Sequence, residues 1–301
     1  MTHSDALGDQ DWFDITRRNA RSVQTTIGWI FWDPGAVRRY ADLGLPEHLA
    51  GPLGYMAARG APLAGAGPEA VIAAFGSISP LAIRGVFGLL GPSERFRDFW
   101  QARDEAVVAG LRDHASDIIE PLSELGPVLW PVVEQLPVVG RTFYAAHLSM
   151  PRSEDPLLSG WHAVNCLREW RGDTHWAVVV SEGLTHPEAS ILHNAWMQYE
   201  EDWLPKSRGT SAEDLDAGWE ALQAKGLATG RVVSPEGLTV RRRVEDRTDE
   251  LTTLPWRLLG EERSRWFAEA FEPPCELLLR RVDDTAGPNY QPASRVRSWD
   301  R

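Results

Sequence analysis

The densest chemistry in the chain is the stretch L-R-E-W-R-G-D-T-H-W-A-V at residues 167–178, which sets Glu169, Arg171, Asp173 and His175 within seven positions, beside Trp170 and Trp176. A carboxylate next to an imidazole is the usual apparatus of general acid–base catalysis. Burial against indole would raise a carboxyl pKa, as a general acid requires. Glu169, Asp173 and His175 are therefore the candidate catalytic residues if the protein is an enzyme. The same residues also fit an ordinary structural account. Gly172 stops one helix, Asp173 caps the next, and Glu169 pairs with an arginine such as Arg171 or Arg59. His175, His186 and His193 with Asp173 are the residues a metal would use, but cap-adjacent and helix-surface roles explain them as well, and no metal is expected. The R-G-D tripeptide is chance at this length.

No phosphate loop, dinucleotide fingerprint, H-E-x-x-H or nucleophile elbow is present, and the glycine-rich run from Gly60 to Gly67 lacks phosphate-loop spacing, so no cofactor is expected. The unusual feature is aromatic: the chain holds 14 tryptophans. Trp is placed where a large rigid wall is needed, in a core or around a ligand. The candidate ligand-binding set is Arg59, Trp161, Trp170, Trp176, His193 and Trp196, around an apolar or aromatic small molecule, a cationic one included.

These residues need elements to position them. With 301 residues the chain can bury two modest cores, and 43% hydrophobic with 25% charged residues is an ordinary globular balance. The fold class expected is mainly α: an N-terminal helical domain (1–150), a winged helix-turn-helix domain with a short β-hairpin wing (157–256), and a C-terminal helix with a strand and loose tail (257–301). The first ten residues are polar and are expected to fray. Residues 94–119 read as one helix with Phe96, Phe99, Trp100, Val107, Leu111 and Ile118 on one face. Residues 151–156 read as a linker, and Leu157, Trp161 and Val164 begin a helix ending at Gly172. Thr185 to Glu188 and Thr210 to Glu213 are capping-box patterns. Residues 227–233 read as a hairpin turning at Thr229 and Gly230, and Ser234 with Pro235 starts a helix to about Thr253. Glu276 to Arg281 reads as a strand. Residues 70–91 approach membrane-spanning length, but Pro80 and Arg84 interrupt them, so a Pro-broken pair of buried helices is expected instead.

Three motifs carry a family resemblance. Y-M-A-A-R-G-A-P-L-A at 55–64 contains Arg59 and Pro62, and Arg168 to His175 reads R-E-W-R-G-D-T-H. V-S-P-E-G at 233–237 precedes T-D-E-L at 248–251 and P-W-R-L-L-G at 255–260. Across residues 32–91 and 141–260 the chain resembles an actinobacterial helix-turn-helix family, MarR-like in its winged part. Two departures stand out: Trp170 occupies a position where that family carries histidine, and Ser77 to Pro80 replaces its Phe-x-His-Pro pattern. Any chemistry those histidines perform in relatives is lost or altered here.

The resemblance implies DNA binding, and the charge argues against it. The formal net charge is −12, and the helix leading into the wing carries Glu213, Asp214, Asp216 and Glu220 against Lys225, where phosphates call for cations. The preferred expectation is a small-molecule-binding protein of specialised (natural-product) metabolism or self-resistance, its winged helix reused to close a Trp-lined apolar pocket. The alternatives are a ligand-responsive MarR-like transcriptional regulator and a biosynthetic enzyme using the Asp/His/Glu set. A homodimer is allowed. Two cysteines and no leader pattern point to a reducing cytoplasm.

Overall fold

A computed structural model describes residues 7–295. The polar N-terminus orders sooner than expected, because α1 (Asp9–Gly28) already runs from Asp9; residues 1–6 lie outside the described residues. Then follow α2 (Pro34–Asp42), α3 (Glu47–Gly60), α4 (Pro68–Phe75), α5 (Pro80–Leu90), α6 (Arg95–His114), α7 (Ile119–Val133) and α8 (Thr142–Leu148). The second half comprises α9 (Pro156–Ser181), α10 (His186–Trp196), α11 (Trp203–Ser207), α12 (Ala212–Ala224), the hairpin β1 (Ala228–Thr229) and β2 (Val232–Val233), α13 (Pro235–Leu251), α14 (Leu254–Leu259) and α15 (Glu261–Thr285). The protein is mainly helical. The apolar 70–91 stretch forms the broken pair α4 and α5, and among the described residues no helix is long and apolar enough to cross a membrane.

Two cores organise these elements. The larger runs from Trp12 to Val282 and joins α1, α3, α6, α7, the first half of α9, and α15. The smaller joins Val178 and Val179 at the end of α9 to Ile191, Leu192, Leu215, Trp219, Leu222, Val240 and Val244. One helix, α9, therefore belongs to both. Its first turn is fixed by Asp155, whose carboxylate accepts from the amides of Leu157 and Leu158. Its close approach to α7 rests on glycine: a Cβ at Gly160 would collide with the Leu122 carbonyl.

Four expectations are overturned. The helix does not stop at Gly172, and Asp173 caps nothing; α9 runs unbroken for 26 residues through both. The reason is tertiary, since the flanking turns bury Trp170 and Thr174 on one side and Val178 and Val179 on the other, which outweighs the modest helix cost of one glycine. Glu276 to Arg281 is helix rather than strand. Phe267, Phe271, Cys275, Leu278 and Val282 form one buried stripe at helical spacing, and α15 tolerates Pro273 and Pro274 to bury it against α1. The helix over 94–119 ends at His114, so Ile118 enters the core from a separate 3-10 turn. The cap of α12 is Ser211, accepting from the Asp214 amide, and not Thr210. By contrast, the Thr185–Glu188 capping box, the hairpin (Ala228 opposite Val233, Thr229 opposite Val232) and the Ser234 cap of α13 form as the residue types dictate.

Candidate functional site

The residues of the opening stretch do not converge. Successive helical residues are about 100° apart, so Glu169 and Asp173 share a face of α9 while His175 lies about 240° round from Glu169. Glu169 is buried and accepts a fork from Arg59, Nε to Oε1 at 3.0 Å and Nη2 to Oε2 at 2.8 Å, plus Arg168 Nη1 at 2.6 Å. Burial alone would raise its pKa; the two guanidiniums reverse that and hold the carboxyl far below the usual carboxylate range. It is a fixed anion, not a proton donor. Asp173 turns towards α8, where it accepts from the Tyr144 amide at 2.9 Å, and burial pushes it up to about 7. His175 faces α13, its Nδ1 3.1 Å from Thr248 Oγ1, and burial lowers it to about 3.

His175 instead lines a cavity of about 460 Å³ between the larger core and the smaller one. From the larger core come Phe31, Trp32, Tyr55, Met56 and Arg59. From α9 come Arg168, Arg171, His175 and Trp176, and from the smaller core His186, His193, Arg241, Val244 and Glu245. Trp203 and Arg208 close one side, and Tyr290 and Gln291 of the C-terminal segment the other. The two sides meet, because the Trp203 ring stands edge-on to Tyr290 at 4.8 Å and Tyr290 packs on Trp32 at 4.2 Å. Non-glycine residues with left-handed backbone, Gln198, Glu201, Asp202 and Gln291, occur in these same two segments.

Of the six expected ligand residues, Arg59, Trp176 and His193 line this cavity. The other three are placed elsewhere. Trp161 is fully enclosed in the larger core, donating to the Thr26 carbonyl at 2.8 Å. Trp170 donates to the Pro137 carbonyl and lies under the Arg141 guanidinium. Trp196 packs beneath Arg242. The residues that sequence missed are Trp32 at the end of a 3-10 turn, Trp203 and Arg208 at the two ends of the five-residue α11, and Tyr290 in the C-terminal segment, all too short for periodicity to mark an inward face. His186 does not aim at a metal: Nδ1 is 2.7 Å from the Gly76 carbonyl and Nε2 3.3 Å from Thr210 Oγ1. Among the described residues, no three His, Cys, Asp or Glu side chains are grouped to hold one.

The cavity's electrostatics are cationic. Arg59 and Arg168 share Glu169, while Arg171 reaches Asp249 at 2.6 Å and Glu245 at 3.3 Å. Arg241 contacts Glu245 at 2.6 Å. Arg208 differs, since its hydrogen bond runs from Nη1 to the Ser77 carbonyl at 3.2 Å. Burial, with Arg59, Arg168 and Arg241 nearby, lowers its pKa to about 10. A cationic ligand, which the tryptophans alone would admit, would meet like charge here.

Comparison with known proteins adds one match. A family model described as a helix-turn-helix family covers residues 16–283. No curated protein and no solved structure matches the chain. That match spans most of both cores, most of the cavity wall and α10 to α13, so this chain belongs to a helix-turn-helix family.

Proposed function

We propose that the protein is a ligand-responsive regulator: a small molecule occupies the cavity, and a winged helix-turn-helix unit built from α10 to α13 with the hairpin contacts DNA. One observation carries the reading. The cavity wall is shared between the larger core and α10 and α13, so a ligand filling it would have a different affinity for each placement of the unit. Differential affinity is the requirement for a ligand to shift a conformational equilibrium. A volume of about 460 Å³ suits a drug-sized molecule. Family membership supports the DNA-binding half. Free, buried Cys166 and Cys275 fit a reducing cytoplasm.

A second reading, a ligand-binding protein whose helix-turn-helix no longer meets DNA, is favoured by the charges on the unit. Glu213, Asp214, Asp216 and Glu220 are exposed on α12. Arg231 in the hairpin is engaged by Asp202 and Asp216, Arg243 by Glu182 and Arg247 by Glu250. Selection of duplexes from a random library, with a gel shift on the region upstream of the gene itself, separates the two. The regulator reading expects an enriched sequence whose affinity falls about a hundredfold between ~50 and ~200 mM salt, the counterion-release signature of several phosphate contacts. No enrichment and no shift would overturn it in favour of the second reading.

A further inference from the structure

Resting on the ligand half of that reading, we propose that the cavity takes an amphipathic organic anion, an apolar or aromatic body with one anionic head group held at Arg208. Five arginines face the cavity, Arg59, Arg168, Arg171, Arg208 and Arg241, and the carboxylates set among them are Glu169, Glu245 and Asp249. With Lys206, also on the lining, the balance is six to three in favour of positive charge. Four of the arginines reach these carboxylates, and Arg208 reaches none of them.

Arg208 is also positioned for the task. Its own carbonyl accepts from the Ser79 amide at 3.0 Å, and Nη1 is tied to the Ser77 carbonyl, so backbone on both sides fixes the side chain. A guanidinium presents five N–H donors in a planar fork, and one bond to a carbonyl leaves the rest for a carboxylate or a similar oxyanion. A half-buried charge with no carboxylate partner carries a desolvation cost, and an anionic ligand offsets it on binding. The apolar part of the wall is made by Phe31, Trp32, Met56, Ile78, Trp176 and Val244. The head group is thereby separated from the body: an oxyanion at the arginine, an apolar framework against the rings.

Three probes of one shape test the sign of the charge: 2-naphthylacetate, its neutral amide, and 2-naphthylethylamine, titrated into the full chain with quenching of tryptophan fluorescence as the readout. The acid should bind at least tenfold more tightly than the amide, and the amine more weakly than either. Arg208→Met, whose thermal melt reports whether it folds, should erase the preference of acid over amide and still bind the amide. Arg208→Lys, which keeps the charge and loses the fork, should retain part of the preference. Equal binding of acid and amide by the parent chain, or a preference for the amine, overturns the anion proposal and leaves the ligand cavity standing. Binding of none of the three overturns both.

Discussion

Asp173 and Glu169 are one helical turn apart, of similar chemistry, and take opposite protonation behaviour from their neighbours. Glu169 has two guanidiniums within hydrogen-bond distance; Asp173 has only backbone amides of α8, Tyr144 foremost, too little to offset its burial. Its pKa is therefore raised to about 7, from an ordinary value near 4. Between those two values the folded chain holds a proton that the unfolded chain has lost, so folding releases no benefit from ionisation there. The contribution to stability is fully present below about pH 4 and is lost as pH rises through 7, with a slope of at most about 1.4 kcal/mol per pH unit. Asp173→Asn keeps an acceptor for the Tyr144 amide and removes the titration. It should match the parent near pH 4 and exceed it at pH 8, measured as the difference in urea midpoint. The difference matters because the buried His147 and the half-buried His175, lowered to about 4 and about 3, act the other way: their contribution is lost as pH falls below 6.5. A variant less stable than the parent at pH 8 would show that the ionised form is the one the fold favours.

At the scale of elements, two glycines in α9 make opposite predictions from the same residue type. A Cβ at Gly172 would meet only Glu169 Oε2, at 3.8 Å, an ordinary contact. Gly172→Ala should therefore stabilise by about 1 kcal/mol, the helix-propensity difference, and raise the melting temperature by about 2–4 °C. Gly160→Ala should destabilise by about 1–3 kcal/mol, because α7 would have to move from the Leu122 carbonyl. A lower melting temperature for Gly172→Ala would restore a helix break at that point. This contrast also marks how far the sequence could be read. Caps and turns were legible where a side chain bonds its own neighbouring backbone: Thr185 with Glu188, Ser234, and the Thr229–Gly230 turn. What failed was decided by distant packing. Gly172 and Pro273 carry breaker chemistry, and only the buried faces around them, set by α7, α8 and α1, reveal that the helices continue. The candidate site divides the same way. Arg59 stands in a motif of the family resemblance, Trp176 in the dense 167–178 stretch and His193 on the helix that the Thr185 capping box opens, whereas Arg208, Trp203 and Tyr290 reach the cavity from segments whose direction only the whole fold determines.

For the whole molecule, the question is whether the two cores unfold together. The smaller core is built on few buried side chains and a short hairpin, and it meets the larger one through α9, through the Trp203–Tyr290–Trp32 rings and through a seam of polar contacts. Arg171 joins α9 to Asp249 and Glu245 of α13, His175 meets Thr248, and His186 and Arg208 reach the 76–77 carbonyls. Regions with less buried apolar surface open at lower free energy than the core that supports them. Amides of α10, α12 and α13 should therefore exchange hydrogen faster than those of α6 and α7. Arg171→Leu sharpens the comparison, since it leaves Asp249 and Glu245 short of a buried partner, at a cost of about 3–5 kcal/mol for a broken buried pair. If the polar seam is where the molecule separates, exchange in that variant rises in α10 to α13 and stays unchanged in α6 and α7. A uniform rise across both cores would mean that they form one cooperative unit, and a ligand in the cavity could then alter overall stability but not the placement of α10 to α13. Local opening confined to α10–α13 is thus what a regulatory coupling through this cavity requires.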